Sequence, residues 1–429
     1  MAKLQPPKGT RDFYPNDMAW HQHLLDAWRR VGVRNGFEQV EGPVFETLEL
    51  YKVKSGDGIV SELFSFRRAN GKTDFALRPE FTPTLARMVA AKANSLPRPI
   101  KWFCTPNACR AERPQRGRLR EFWQWNVDLL GLEGPGADAE VIFTLLDFLQ
   151  EVGLTAQHVK VKLSHRNVVT QVLESLGLDP SRTADAFKLL DGRDKMDADT
   201  FAQQAADLGL DAAAVSRFTQ VSGTTYALQD LAQLTADLGL PQAPADLVAL
   251  IDQLTAFGIA DWCEIDLGIV RGLAYYTGTV FEVHETGGKS RALAGGGRYD
   301  KLIELFGGPA MPAVGFGMGD VVLTNLLEDL KLLPAELGNR PDALVFATQD
   351  DSAHHVAALV AQLRRANLHA RMSYKTTRNV GKLLKDAEKM RAHFAVMVGA
   401  ESLELKNLAT GEQTTVSPEN LVSEVQKST

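Results

Sequence analysis

From about residue 168 to residue 260 the chain is rich in Ala, Leu, Asp and Gln, with helical patterning and no strand run. Strand-like runs dominate the sequence before this block and resume directly after it. Upstream they fall at Phe37–Phe45, Phe64–Arg67, Asp74–Leu77, Ile100–Cys104, Phe122–Leu129 and Val159–Leu163. Downstream they fall at Cys263–Val270, Thr279–His284 and Ser290–Ala294. The pattern predicts an antiparallel sheet with flanking helices, interrupted by an inserted helical domain. Helical spacing predicts further helices before Gly36, over Thr82–Ala93 (Thr82 as cap, Pro83 in the first position), over 138–153, near Tyr299–Leu305 and over Val321–Leu332. Pro43 argues for a strand edge or end.

A Pro/Gly-bearing stretch, residues 333–341, reads as a linker. Beyond it strands at Ala343–Ala347, His369–Ser373 and Phe394–Val398 alternate with helices at Ala353–Ala366 and Val380–Arg391. That alternation predicts a separate α/β unit with a parallel or mixed sheet. At 429 residues, two or three domains are expected.

The net charge is −6, there is no long apolar run, and Met1–Lys8 has no apolar signal core. The chain is therefore expected to be cytoplasmic and without a membrane span. Three cysteines without a Cys-x-x-Cys pair support neither a disulfide framework nor a thiolate metal site, so no protein-held metal is expected. His21/His23 and His354/His355 read as helix-surface or partly buried side chains.

Charge is unevenly placed. Arg110, Arg113, Arg116, Arg118 and Arg120 lie within eleven residues, hinged on Pro-Gln-Arg-Gly between two strand runs. A solvated loop would explain such a run. Guanidinium forks also match phosphate oxygens bidentately, so Arg110, Arg113 and Arg118 are candidates for phosphates and Glu112 for an exocyclic amine. No phosphate-cradling glycine loop of the common kinds is present, so side chains would have to do that work.

Glu80 and Thr82 flank a helix start and suit either an ammonium group or a plain cap. Arg271, Tyr275 and Tyr276 sit in a glycine-bracketed stretch, 266–278, that is unusual for a pure core. Gly295–Gly297 would fit a tight turn, but the adjoining Arg298-Tyr299 favours a ligand pocket. Nine Lys/Arg against two acids over Arg364–Arg391 suit either a solvated helix surface or a polyanion contacting two domains.

Together these segments closely resemble the histidyl-tRNA synthetase family of class II aminoacyl-tRNA synthetases, over essentially the whole length. Lys8–Pro15 and the region of Pro43 look like the opening and the dimer-forming motif 1, Arg110–Gln124 like motif 2, and Pro312–Gly319 like the start of motif 3. Val270–Gly278 and Gly295–Asp300 resemble the two histidine-specific signatures. Val396–Gly399 with Leu408–Gln413 resembles the anticodon-binding domain. The resemblance implies a catalytic core over 1–330, carrying the 168–260 insertion, and an anticodon-binding domain over 338–429. It implies ATP and L-histidine as substrates, Mg²⁺ on the outer phosphates, tRNA(His) as acceptor and a homodimer.

By the same resemblance Arg110 would hold the α-phosphate and histidine carboxylate, Glu112 the adenine amine and Arg118 the ATP phosphates. Arg271 would stand beside the α-phosphate. Glu80, Thr82 and Gln124 would bind the α-amino group, while Asp128, Tyr275, Tyr276 and Tyr299 would belong to the histidine pocket. Arg113 and Gln115 would meet the acceptor end of the tRNA. Three departures stand out: Val321-Val322 where Glu-Arg is usual after motif 3, Ala274 for Asp, and Asp128 for Glu. Arg291 or Arg298 is expected to supply the missing motif 3 charge. The alternative is an inactive paralogue, the regulatory subunit of ATP phosphoribosyltransferase. It normally lacks the C-terminal domain and degrades the arginine signatures.

Overall fold

The computed structural model describes residues 4–427 apart from 56, 193–195, 270–275, 289–290 and 339. It divides into two compact units, Met1–Tyr14 with His21–Ala335 and Pro15–Trp20 with Glu336–Thr429. Among the described residues no helix is long and apolar enough to cross a membrane.

The first unit is built on a ten-stranded sheet. Its order is Glu38–Gln39, Ile100–Cys104, Glu121–Leu130, Ala313–Gly319, Ala294–Arg298, Thr279–Glu285, Val159–His165, Cys263–Asp266 and Thr225–Ala227, with Asn107–Cys109 paired to Glu121–Leu130. The pairings are antiparallel except at Glu38–Gln39 and between Val159–His165 and Cys263–Asp266. A separate three-stranded sheet, Phe45–Thr47, Asp74–Leu77 and Ser65–Arg67, clusters Phe45, Phe66 and Phe75 at ring separations of 5.6–5.8 Å.

Two expectations change here. The helical block is not free of strands, because Thr225–Ala227 pairs antiparallel with Cys263–Asp266. Three residues are too few to show a period in the sequence. The strand expected at Ser290–Ala294 instead runs Ala294–Arg298, through the three glycines. These glycines are strand, not turn, because neighbouring side chains occupy the space a Cβ would need. A Cβ on Gly296 would come within 2.6 Å of the Phe281 ring and 2.7 Å of Phe316.

The strand Glu121–Leu130 organises both faces of the sheet. Side chains alternate along a strand, so Trp123, Trp125, Val127 and Leu129 take one face and Phe122, Gln124, Asn126 and Asp128 the other. On the first face Trp125 is fully buried, stacked on Trp28 at 6.2 Å and edge-on to Phe148 and Phe316 at 5.3 and 5.1 Å. Trp28 comes from helix Pro15–Arg34 and Phe148 from helix Pro135–Glu151. Each such side chain contributes about 1.5–3 kcal/mol by burial.

The second unit carries a five-stranded mixed sheet, in the order Ala370–Met372, Ala343–Ala347, Phe394–Val398, Leu403–Asn407 and Gln413–Val416. The first two pairings are parallel and the last two antiparallel. Val345 and Val396 pack with Leu359, Leu363 and Val425 on one face. Leu344, Phe346 and Met397 pack with Leu383 and Ala387 on the other.

One buried ion pair joins three segments of the first unit. Asp320, 2% exposed at the start of helix Asp320–Asp329, takes Arg11 Nη2 at 2.6 Å on one oxygen and the Trp123 backbone N–H at 3.0 Å on the other. Burial pushes the Asp320 carboxyl up, and Arg11 pulls it back. A carboxyl raised in this way favours the fold below its folded value and loses that contribution as pH rises through it. Arg11→Ala is expected to cost about 3 kcal/mol at neutral pH by leaving a buried carboxylate unpaired. Because a protonated Asp320 needs no counter-ion, denaturant unfolding should show the deficit shrinking as pH falls; a deficit that grows would refute this role.

Candidate active site

The ligand face is open because the strands beside Glu121–Leu130 carry glycine. In the antiparallel register Gly315 lies opposite Asp128, Gly317 opposite Asn126 and Gly319 opposite Gln124. A Cβ on Gly315 would overlap the Asp128 carboxylate, and one on Gly317 the Gln124 amide. Gly297 likewise leaves room for the Tyr276 ring, 3.0 Å from where its Cβ would be.

Two cavities result, sharing Gln124, Gly295 and Gly317. The smaller, about 80 Å³, is lined by polar groups: Glu80, Thr82, Gln124, Asn126, Asp128, Tyr276 and Tyr299. The Tyr299 hydroxyl donates to Asp128, so both are fixed. Thr82 differs from expectation. It is the first residue of helix Thr82–Lys92, whose N-cap is Phe81 with no side-chain cap bond, so Thr82 lines the cavity instead of capping.

The larger cavity, about 200 Å³, is bounded by Arg110, Glu112, Arg118, Phe122, Glu282, Arg291 and Val322. Arg110 donates through Nε to the Pro79 carbonyl at 3.0 Å and lies 5.0 Å from the centre of the Phe122 ring. Its guanidinium is thereby oriented before any ligand arrives. Arg118 pairs with one oxygen of Glu112 at 2.9 Å, while the other oxygen is buried without a partner among the described residues. The loop between them closes as a tight turn, with reciprocal backbone bonds of 2.9 Å between Gln115 and Arg118 and Gly117 at φ +76°. That left-handed conformation favours glycine.

Arg113 and Gln115 are exposed and line neither cavity. Arg116 pairs with Asp329 at 2.5 Å, and Arg120 holds the loop through the Glu112 and Lys8 carbonyls. Arg271 and Tyr275, and with them Ala274, lie outside the described residues.

The two arginines expected to replace the motif 3 charge separate cleanly. Arg291 borders the larger cavity beside Val322 and Gly117. Arg298 does not: it points to the opposite face from Tyr299, bonded to Asp138 at 2.6 Å, to Asp300 at 3.1 Å and to the Gly134 carbonyl at 2.9 Å. Period-2 alternation from Tyr299 puts it there.

Sequence reasoning missed Phe122, Asn126 and Glu282. The first two stand two residues either side of Gln124 on one strand, so alternation alone would have flagged them. Glu282, 7% exposed and opposite Gly295, takes His284 Nε2 at 2.8 Å. Among the described residues no cluster of three or more His, Cys, Asp or Glu could cage a metal ion. A phosphate-borne cation needs only one or two protein carboxylates, and Glu282 on the cavity wall fits that part.

An arginine-walled cavity adjoining a polar slot, on a largely antiparallel sheet with no glycine phosphate loop, fits the catalytic core of a class II aminoacyl-tRNA synthetase. Comparison with known proteins gives the family. A family model described as histidyl-tRNA synthetase matches residues 9–320, and one described as anticodon binding domain matches 342–428. The histidine–tRNA ligase of Opitutus terrae is 41% identical, covering 98% of both chains. A crystal structure of histidyl-tRNA synthetase from Nostoc sp. PCC 7120 superposes with a TM-score of 0.80 over 100% of both chains, at 24% identity. The structure of an ATP phosphoribosyltransferase regulatory subunit/histidyl-tRNA synthetase from Bacillus halodurans shares the fold at a TM-score of 0.75 and 22% identity, over 92% of this chain and 98% of that one. At those identities the two structures speak for the fold alone. The chain belongs to the histidyl-tRNA synthetase family, the histidine–tRNA ligases.

Arg298→Leu should cost about 3–5 kcal/mol, since it strands buried Asp138 without its cation. The same variant should leave the KM for ATP unchanged; a selective rise in that KM would return Arg298 to the phosphate site.

Proposed function

We propose that the two cavities hold ATP and L-histidine and that the chain charges tRNA(His) in two steps. The histidine carboxylate attacks the α-phosphate of ATP, forming the mixed anhydride and releasing pyrophosphate. A terminal ribose hydroxyl of the tRNA then attacks the histidyl carbonyl, and AMP leaves. Such chemistry needs in-line placement and charge neutralisation more than covalent help. The observation that carries the reading is that the polar slot and the arginine-walled cavity adjoin, with Gln124, Gly295 and Gly317 lining both.

Arg110, pre-oriented by the Pro79 carbonyl, holds the α-phosphate and the carboxylate together. Glu112 accepts from the adenine amine, for which its orphan oxygen is suited. Phe122 offers a ring face to the base. Arg118 and Arg291 face the outer phosphates, Arg291 standing in for the absent motif 3 arginine. Mg²⁺ carried on those phosphates would supply charge neutralisation there, and Glu282 on the cavity wall would be the carboxylate to hold it. Arg271 is assigned to the α-phosphate and Tyr275 to the histidine pocket by family resemblance.

In the smaller cavity Glu80, Thr82 and Gln124 take the α-ammonium, and Asp128, Tyr276 and Tyr299 read the imidazole. A slot built from hydrogen-bonding groups rejects side chains that leave them unpaired. The exposed Arg113 and Gln115 are placed to meet the acceptor end. The second unit reads the anticodon, supported by the basic run over Arg364–Arg391. A homodimer is supported by the exposed Phe45 and Phe66 of the small sheet, 48% and 41% accessible, since clustered exposed aromatics mark interaction surfaces. Three free thiols fit a reducing compartment, the cytoplasm.

The test is charging of tRNA(His) transcripts with labelled histidine, with Arg271→Ala as the inactive control. Histidyl-tRNA from the parent alone is expected, and none from the parent would overturn the proposal. In ATP–pyrophosphate exchange, Arg291→Ala should lose about 10²–10³-fold in kcat/KM for ATP. A loss below threefold would remove Arg291 from the phosphate site.

A further inference from the structure

Arg166 stands where the chain leaves the large sheet for the inserted helical block. It follows the strand Val159–His165, whose last residue lies opposite Thr279, and it is the first residue of helix Arg166–Ser175. Its backbone N–H donates to the Gly278 carbonyl at 2.9 Å, and its Nη1 donates to the Tyr276 carbonyl at 2.7 Å. The same guanidinium lies 5.2 Å from the centre of the Phe187 ring. Phe187 is buried in helix Thr183–Gly192, the next α-helix of the inserted block.

One side chain thus bridges the inserted block and a residue of the smaller cavity. Tyr276 lines that cavity, and its ring packs over Gly297. The main chain just after it is held from the sheet: the Thr277 N–H donates to the Arg298 carbonyl at 2.7 Å, and Thr277 Oγ1 donates to Asp300 at 2.9 Å. Arg166 holds the carbonyls on either side of Thr277. A hydrogen bond from a charged donor is stronger than one between neutral groups, so the Nη1 contact fixes the Tyr276 peptide and with it the direction in which the ring leaves the backbone. The aromatic face that seats the guanidinium comes from the inserted block, so the packing of that block sets where the donor stands. Neither Arg166, Phe187 nor Tyr276 lines the larger cavity.

We propose that Arg166 is a positioning residue for the amino-acid slot: seated on Phe187 of the inserted block, it holds the Tyr276 carbonyl and so places the Tyr276 ring against the bound side chain. This rests on the reading of the smaller cavity as the histidine site. Its consequence is that histidine recognition, but not ATP recognition, depends on how the inserted helices pack.

The test uses the full chain in ATP–pyrophosphate exchange, with the KM for histidine and the KM for ATP measured separately. Arg166→Met keeps the aliphatic stem and removes the donors, Arg166→Lys keeps a charged donor, and Phe187→Leu removes the ring beneath the guanidinium. Arg166→Met should raise the KM for histidine about tenfold, as loss of a hydrogen bond from a charged donor would, and leave the KM for ATP unchanged. Arg166→Lys should recover most of that loss. Phe187→Leu, in the inserted block, should raise the same KM about threefold. Because Phe187 acts through Arg166, the double variant with Arg166→Met should be no worse than Arg166→Met alone. Should Arg166→Met not fold, Phe187→Leu carries the same comparison of the two KM values. Equal rises in both KM values, a lysine variant as poor as the methionine one, or additive losses in the double variant would overturn the assignment. A parent active with histidine beside unaffected variants would sink this inference alone, whereas a parent without histidine-dependent exchange would sink the reading of the cavity as well.

Discussion

Everything on the ligand face depends on the absence of Cβ atoms at Gly315 and Gly317. Any side chain there would take the space of the Asp128 carboxylate and the Gln124 amide. Glycine within a strand costs roughly 0.5–1 kcal/mol in backbone entropy. Here the cost is offset because Ala313–Gly319 is hydrogen-bonded on both sides, to Glu121–Leu130 and to Ala294–Arg298. Behind it, Phe316 packs against Trp125. The sheet thus keeps full pairing and a dense rear face while its front is hollowed to the depth of one side chain.

The junction of Arg11, Asp320 and the Trp123 backbone ties this hollow to the rest of the unit. It fixes the helix that follows Ala313–Gly319 to the strand that lines both cavities. The N-terminal segment reaches it from residue 11, so three distant stretches of sequence meet at this junction. The larger cavity borrows in a similar way. Its cationic wall combines Arg118 from the loop closed at Gln115 and Arg118 with Arg291 from the segment just before Ala294–Arg298. Val322, on the helix that begins at Asp320, presents only an apolar surface between them.

Much of this was legible from residue patterns. The alternation at Phe122–Leu129 located the central strand to within one residue at either end, and the strand–helix alternation after Pro341 gave the mixed sheet of the second unit. Arg110, Glu112, Arg118, Gln124, Asp128, Tyr276 and Tyr299 do line the two cavities, as do Glu80 and Thr82. What stayed hidden has physical causes. Ala294–Arg298 is composed of residues that disfavour strands, and its role comes from what neighbouring chains need, not from its own propensity. With that strand displaced, the opposite facing of Arg298 and Tyr299 could not be read, and a structural arginine stood beside a candidate ligand. Asn126 and Glu282 carry no motif of their own; only the register reveals them.

The division of Glu121–Leu130 into a ligand face and a packed face has a consequence for how such a protein can change. Neighbours along the strand answer to different demands: Trp125 to the interior, Gln124 and Asn126 to the cavity they line. Their side chains leave opposite faces of the sheet, so a change at one reaches the other through the backbone and the facing strand Ala313–Gly319 and not through direct contact. Substitutions that retune recognition can therefore accumulate at alternate positions without drawing on the stability held behind them. One ten-residue segment carries two nearly uncoupled traits, and the pleat of the backbone keeps them apart.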